Sequence, residues 1–387
     1  MRMIGPPFFS AYVLTRDQVL IYHSFARLLQ KFQDKIGQFE SIPKGTKVSP
    51  VFASEVNRIK EILVPLPRKL CQMCDMLFRP PDFGNLEAPQ LRAGIVLLVE
   101  LEEILDQIAA SISLFWILDQ PQLHSSQPIY HREIKRHRCQ RTQSKLVDLL
   151  KILAELLHLY RHRVPISEMR LILDLREPAR VAWGEVIKQT HHVANHVEGL
   201  IQWLNLSDLG IVQDQWQAMV QELDDLLEEV VRFTHFNLDI RSKPLLAYVP
   251  ILKLARLFFN KMSKITNGEP HPISQMCPDQ LLDLFNATLL LPGQLKGFFH
   301  EIIYQFTPQR DGDPLLAFDL INHFQLPINI LNNFLALQGS NPDSSQDLYE
   351  KFLFWYAAWQ SQLFRAVMRF FITYRDMYST FLIGNVS

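Results

Sequence analysis

The stretch from Ser207 to Thr266 constrains this chain more than any other. Val212, Trp216, Met219, Leu223, Leu226, Val230 and Phe233 recur at alternating steps of four and three. That spacing puts all seven on one face of an α-helix. Asp214, Glu222, Asp225, Glu228 and Glu229 fall on the other face. A second run, Ile251, Ala255, Phe258, Met262 and Ile265, repeats the pattern, with Lys253, Arg256, Asn260 and Lys264 away from the seam. The break from Asn237 to Lys243 lets the two arms fold back as an antiparallel hairpin.

The same period governs every other long segment. Thr15 with Gln18 reads as a capping box opening a helix with its seam at Tyr22, Phe25, Leu29, Phe32, Ile36 and Phe39. Val56, Ile59, Leu63, Leu66, Leu70, Met73 and Leu77 stay in register through Pro65 and Pro67, which predicts a kink or two helices in line. Leu91 to Phe115 forms a third seam with one polar intruder, Glu102. Further seams follow at Leu146–Tyr160, Val186–Leu204, Leu282–Phe306 (broken at Pro292-Gly293) and Leu316–Leu335 (kinked at Pro327). The chain closes on one aromatic helix from Gln346 to about Leu382. No segment carries a convincing period of two, and no fixed-period repeat is visible. The fold class is therefore all-α: long antiparallel helices in two bundles, 1–165 and 166–387, divided near Pro165.

Composition narrows the function classes. Hydrophobic residues are 48% and charged residues 20%, enough for a large core and too apolar for wholesale disorder. Only 14 glycines in 387 residues disfavour glycine-rich phosphate loops. The net charge of −1 gives the whole chain no pull on nucleic acid or anionic membrane. The count of 4 cysteines suits a reducing compartment rather than a disulfide scaffold. Met1–Leu14 is apolar but interrupted by Pro6-Pro7, a poor secretory signal. The nearest candidate for a membrane span, Phe352–Ile372, is interrupted by Arg365 and Arg369.

The motifs that could carry chemistry have structural readings that outweigh the chemical ones. Cys71 and Cys74 have redox spacing but lie inside a helical seam, where no helix N-terminus favours a thiolate. His192 and His196, with His191 beside them, stand one turn apart and could hold a metal. They lack the glutamate a metalloprotease needs. Glu155 and His158 form half of a di-iron motif without its second copy. No metal ligand, catalytic residue or cofactor is assigned.

Two features lie outside the core pattern. Arg132, Lys135, Arg136, Arg138, Arg141 and Lys145 crowd one segment around a lone Glu133. They point all round the helix, so two to three turns are expected to project into solvent from a bundle beginning near Leu146. Such a run could bind an acidic partner or nucleic acid, or serve nuclear import. No aromatic interleaves its bases, which disfavours nucleic acid. The second feature is a stripe on the last helix: Leu353, Phe364, Phe371, Tyr378 and Leu382. It runs beside the main seam of Phe352, Trp355, Trp359, Leu363, Phe370, Tyr374, Met377 and Phe381. The two cover about half the circumference, wider than one-sided packing requires. Either another helix of the chain covers the stripe, or it docks a partner.

Val56–Lys60, His131–Cys139, Leu209–Trp216, Pro250–Met262 and the Tyr349–Phe370 run with Trp355 and Trp359 occur in an order that resembles an expanded family of uncharacterised helical proteins in plant-pathogenic rust fungi. The resemblance spans Val56 to Phe371. Its motifs are helix-core signatures, so it implies an all-helical fold and no reaction. At fold level alone the chain also resembles the helical bundles of cyclin-D-binding and vinculin-like proteins. The expectation is a non-enzymatic scaffold or interaction protein, cytoplasmic or nuclear, with a protein partner and no membrane span. The alternatives are a metal- or ligand-binding helical protein using His191, His192 and His196, and a binder of nucleic acid or acidic partners through the basic segment.

Overall fold

The computed structural model describes residues 15–41, 47–78, 88–117, 129–163, 179–236, 242–264, 271–304, 315–338 and 346–384. Met1–Leu14, Pro165, Pro178 and most of the expected hairpin break lie outside them. The described chain is almost entirely helical. Its elements are α1 (Arg16–Ser41), β1 (Lys47–Val48), α2 (Phe52–Leu63), α3 (Leu66–Phe78), α4 (Ala88–Ser113), β2 (Trp116–Ile117), α5 (Ile129–Arg163), α6 (Ala179–Leu204), α7 (Asp208–Phe236), α8 (Ser242–Ser263), a 3-10 turn (Pro272–Gln275), α9 (Pro278–Leu289), α10 (Leu291–Tyr304), α11 (Leu315–Gln338) and α12 (Gln346–Gly384).

Two compact units divide between Asn205 and Leu206, with residues 128–134 grouped with the second unit. The division lies well beyond Pro165, where the sequence pattern placed it. The reason is α6. Val186, Val193, Val197 and Leu200 are buried, and α6 packs on α2 and α3 of the first unit. A proline marks a break in a helix, not a break in a core.

In the first unit α4 packs on α1, α2 and α3. The Thr15 capping box forms in both directions: the Thr15 N–H donates to Gln18 Oε1 at 2.9 Å and the Gln18 N–H to Thr15 Oγ1 at 3.3 Å. Ile21, Phe25, Leu28 and Phe32 of α1 are buried. The polar intruder of α4, Glu102, takes Arg27 at 2.7 Å and Lys31 at 3.1 Å from α1, so it sits at the edge of the seam and ties the two helices. The register through Pro65 resolves as two helices, α2 and α3, with Leu63 and Leu66 both fully buried and Val64 turned outward. A short ladder escaped the sequence pattern: β1 pairs antiparallel with β2, Lys47 opposite Ile117 and Val48 opposite Trp116. Two residues per strand are too few to show a period.

The second unit is built on the hairpin. Gln213 donates to the Met262 carbonyl at 3.4 Å, Ser263 to Gln217 at 3.0 Å, and Arg256 pairs with Asp224. From Gln217 to Asp224 the partner falls from Ser263 to Arg256, so the arms are antiparallel. Val212, Trp216, Met219, Leu223, Leu226 and Val230 are all buried. α12 packs along α8, and α11 touches α9, α10 and α12. Three large buried polar aromatics satisfy their donors. Trp216 Nε1 donates to Thr288 Oγ1 at 2.9 Å, Tyr248 Oη to the Leu295 carbonyl at 2.9 Å, and Trp359 Nε1 to the Leu254 carbonyl at 2.8 Å. The helix expected to break at Pro292-Gly293 breaks at Leu290, and Pro292 takes the second position of α10, where its missing N–H costs little.

Candidate functional site

α12 is an amphipathic helix with a surplus. Phe352, Tyr356, Trp359, Leu363, Val367, Phe370 and Tyr374 form its buried seam. Phe258 stacks near Trp359 with centroids 4.9 Å apart, and Phe370 meets Tyr248 and Phe298 at 5.7 and 5.4 Å. The adjacent stripe stays in solvent. Phe364 is 61% exposed, Phe354 80%, Ile372 47% and Leu353 40%. Phe371 is half-buried, and the Tyr378 side chain lies outside the described residues.

Phe364 also lines a groove of about 500 Å³ between α11 and α12, with Phe324, Ile328, Ala357 and Val367 as its apolar walls and Asn332 and Gln360 among its polar members. Leu326 is 58% exposed on α11. Arg365 and Arg369 flank the stripe at one helical turn from Met368 and Ile372, and both are exposed. Among the described residues no carboxylate pairs with either. A second apolar depression of about 610 Å³ lies on α7 and α8, floored by Val231, Leu246, Pro250 and Leu257. It is lined by no phenylalanine, tyrosine or tryptophan.

The basic segment does not project into solvent. From Lys135 onward α5 belongs to the first unit, and Cys139, Thr142 and Leu146 are buried. Arg138 donates to the Leu204 carbonyl at 3.4 Å. That carbonyl ends α6, where a cation also meets the negative end of the helix dipole. Lys145 lies 5.0 Å from the centroid of the Trp203 ring. Arg136 and Arg141 are half-buried; among the described side chains of the run, Lys135 is exposed. Arg132's side chain lies outside the described residues. Burial, with the Arg141 charge beside it, lowers His137 to about 4, and burial pushes the Cys139 thiol up to about 12. The bases were expected all round a solvated helix; Arg138 and Lys145 instead reach a carbonyl and a ring of the same unit.

The remaining motifs are not brought together. His191 and His192 are exposed and His196 is half-buried. His196 is lowered by burial first, then by His192 and Lys145. Among the described residues no group of three or more metal-ligating side chains converges. Cys74 is buried, and burial raises both its thiol and that of Cys71. Neither sits where a thiolate is favoured. Tyr160 and Thr190 share a buried hydrogen bond at 2.6 Å beside Cys74, a link between α5 and α6 with no sequence signal.

Comparison with known proteins follows the same division. Residues 56–205 match a domain of unknown function (DUF8723), and residues 207–371 match a second domain of unknown function (DUF8721). The two matches meet where the compact units divide, and their outer limits are those of the resemblance read from Val56 to Phe371. No curated protein and no solved structure matches the chain. No helix among the described residues is long and apolar enough to cross a membrane.

Proposed function

We propose that this chain is a non-enzymatic interaction protein that holds an amphipathic helix of a protein partner on the α11/α12 face. The observation that carries the reading is Phe364, 61% exposed at the lip of an apolar groove. The stripe from Leu353 to Ile372 runs about 30 Å at 1.5 Å per residue. That length suits a helix presenting anchors at i, i+3, i+4 and i+7 better than a small molecule. Arg365 and Arg369 select a partner with an acidic flank, since cations at a rim steer complementary charge.

An intracellular setting, cytoplasmic or nuclear, is supported by four cysteines that are all free. Membership of the rust-fungal helical family is supported by the coincidence of the matched stretches with the core motifs. No specific observation favours the basic segment as a nucleic-acid site.

The test compares the full-length chain with Phe364→Asp. The expected outcome is unchanged far-ultraviolet circular dichroism and loss of a partner that the wild type retains from native lysate. That partner should bind through an amphipathic helix, and neutralising its acidic flank should weaken it. Equal retention by the variant would sink the reading. So would a wild-type dimer, seen by light scattering, that Phe364→Asp dissociates, because the occupant would then be a second copy.

A further inference from the structure

α5 carries a pair of histidines that the sequence pattern passed over. His158 and His162 are one turn apart, both exposed, and their Nε2 atoms lie 3.2 Å from each other with ring centroids 4.3 Å apart. We infer that this pair is a two-histidine chelate for a divalent transition metal ion of the Zn²⁺ class, distinct from the His191, His192 and His196 group.

The geometry carries the inference. Two imidazole nitrogens bound to one Zn²⁺ stand about 2.0–2.1 Å from it. Nitrogens held 3.2 Å apart at that radius subtend about 100° at the ion, close to the tetrahedral angle. Helical i, i+4 spacing is the arrangement by which histidines share a metal on one helix face. Without metal the same two atoms share one N–H···N hydrogen bond. On binding, the donating ring moves its proton to Nδ1, and both Nε2 lone pairs face the ion; no proton need be released.

The surroundings suit a cation. Glu155 is exposed one turn before His158 on the same face. Lys151 is drawn to Glu40 at 2.7 Å, and the Arg161 guanidinium lies over the Tyr22 ring at 4.4 Å with Nη2 donating to its hydroxyl at 3.0 Å. The nearest cations of α5 with described partners are thus engaged elsewhere. No third ligand converges among the described residues, so the ion keeps open positions for water or for a donor from another molecule. Imidazole pairs suit Zn²⁺, Cu²⁺ and Ni²⁺ rather than Mg²⁺ or Ca²⁺, which take oxygen.

No comparable convergence marks the other group. His192 and His196 have the same spacing, but His196 is half-buried.

The experiment titrates the full-length chain with Zn²⁺ by calorimetry and with Co²⁺ by visible absorption. The variants are His158→Ala, His162→Ala, and the double His192→Ala with His196→Ala. All positions except His196 are exposed, and circular dichroism reports whether each variant folds. The expected result is one ion per chain, with affinity reduced at least about tenfold by either single substitution and unchanged in the double variant. Mg²⁺ should not compete. Three outcomes overturn the inference: no Zn²⁺ site in the wild type up to millimolar ion, binding that survives both single substitutions, or binding lost only in the double variant.

Discussion

The two longest described helices, α5 with 35 residues and α12 with 39, exchange the roles their sequences suggest. The segment of α5 richest in charge packs against its own unit, while the aromatic α12 leaves a stripe of large apolar side chains in water. The difference lies in the neighbours. α5 meets the end of α6, whose last carbonyl and Trp203 ring accept cations, so Arg138 and Lys145 find partners without full desolvation. α12 meets α8 along one side and α11 along another, and neither covers its surplus stripe, which leaves Phe364 at the lip of the α11/α12 groove. A helical wheel shows how wide an apolar face is. It cannot show how much of that face the other helices cover.

The sharpest way to break this comparison is to weigh the two stripes of α12 against each other. Trp359→Ala removes a ring that is 4% exposed and a hydrogen bond to the Leu254 carbonyl, and should cost about 3 to 5 kcal/mol. Phe364→Ala, on the exposed stripe, should change stability by no more than about 0.5 kcal/mol. Urea unfolding of both variants checks the pair. A loss of several kcal/mol for Phe364→Ala would mean that the stripe is covered within the chain.

A second effect, smaller, tests whether the basic run is packed. His137 is held at about 4, below the ordinary 6.5 of histidine, because burial and then Arg141 disfavour its charged form. Between those two values the unfolded chain binds the proton and the folded chain does not. Stability therefore rises with pH across this window: the contribution is fully present above about 6.5 and is lost as pH falls toward 4. A half-buried ring is partly screened by solvent, so the loss should be about 2 kcal/mol rather than the full value of a sealed site. Chemical unfolding of the wild type and His137→Gln from pH 4 to 7 measures it. The variant should show a flatter slope; equal slopes would return this stretch of α5 to solvent.

The features that the sequence made legible are those fixed by neighbours within one turn. The seam of α7, the reciprocal cap of Thr15 and Gln18, and the division at Pro65 are all local, since 3.6-residue geometry and a missing N–H act within a few positions. The features it did not make legible depend on what arrives from far along the chain. α6 belongs with α2 and α3 although a proline-containing stretch precedes it. Glu102 reads as an intruder until α1 supplies Arg27 and Lys31. The β1–β2 pair joins residues about seventy positions apart. The candidate groove is intermediate: its Phe364 was singled out from periodicity, but its Phe324 and Ile328 walls come from α11 and carry only ordinary core signals. His158 reads in sequence only as the partner of Glu155, and the 3.2 Å approach of its Nε2 to that of His162 comes from the structure.

The smallest expected effect is also the most specific to the contrast between packed and free bases. Lys145 sits over the Trp203 ring at 5.0 Å, half-buried, whereas Lys135 on the same helix is exposed. Replacing each by methionine keeps an unbranched apolar stem and removes the charge, so packing along the stem is largely preserved. A cation over an indole near the surface contributes about 0.5 to 1 kcal/mol, and ordinary salt screens it only modestly at such short range. Lys145→Met should therefore lose about 0.5 kcal/mol, after some recovery from better burial of the thioether against the ring. Lys135→Met should lose nothing measurable. The double variant of Lys145→Met with Trp203→Leu isolates the pair, because the two single losses should exceed the combined loss by the coupling between them. Equal effects at Lys135 and Lys145 would remove the distinction between a base anchored by its own unit and one left in water. A coupling of zero would assign the contact to geometry alone, with the charge of Lys145 facing solvent as the unpaired pattern of bases first suggested.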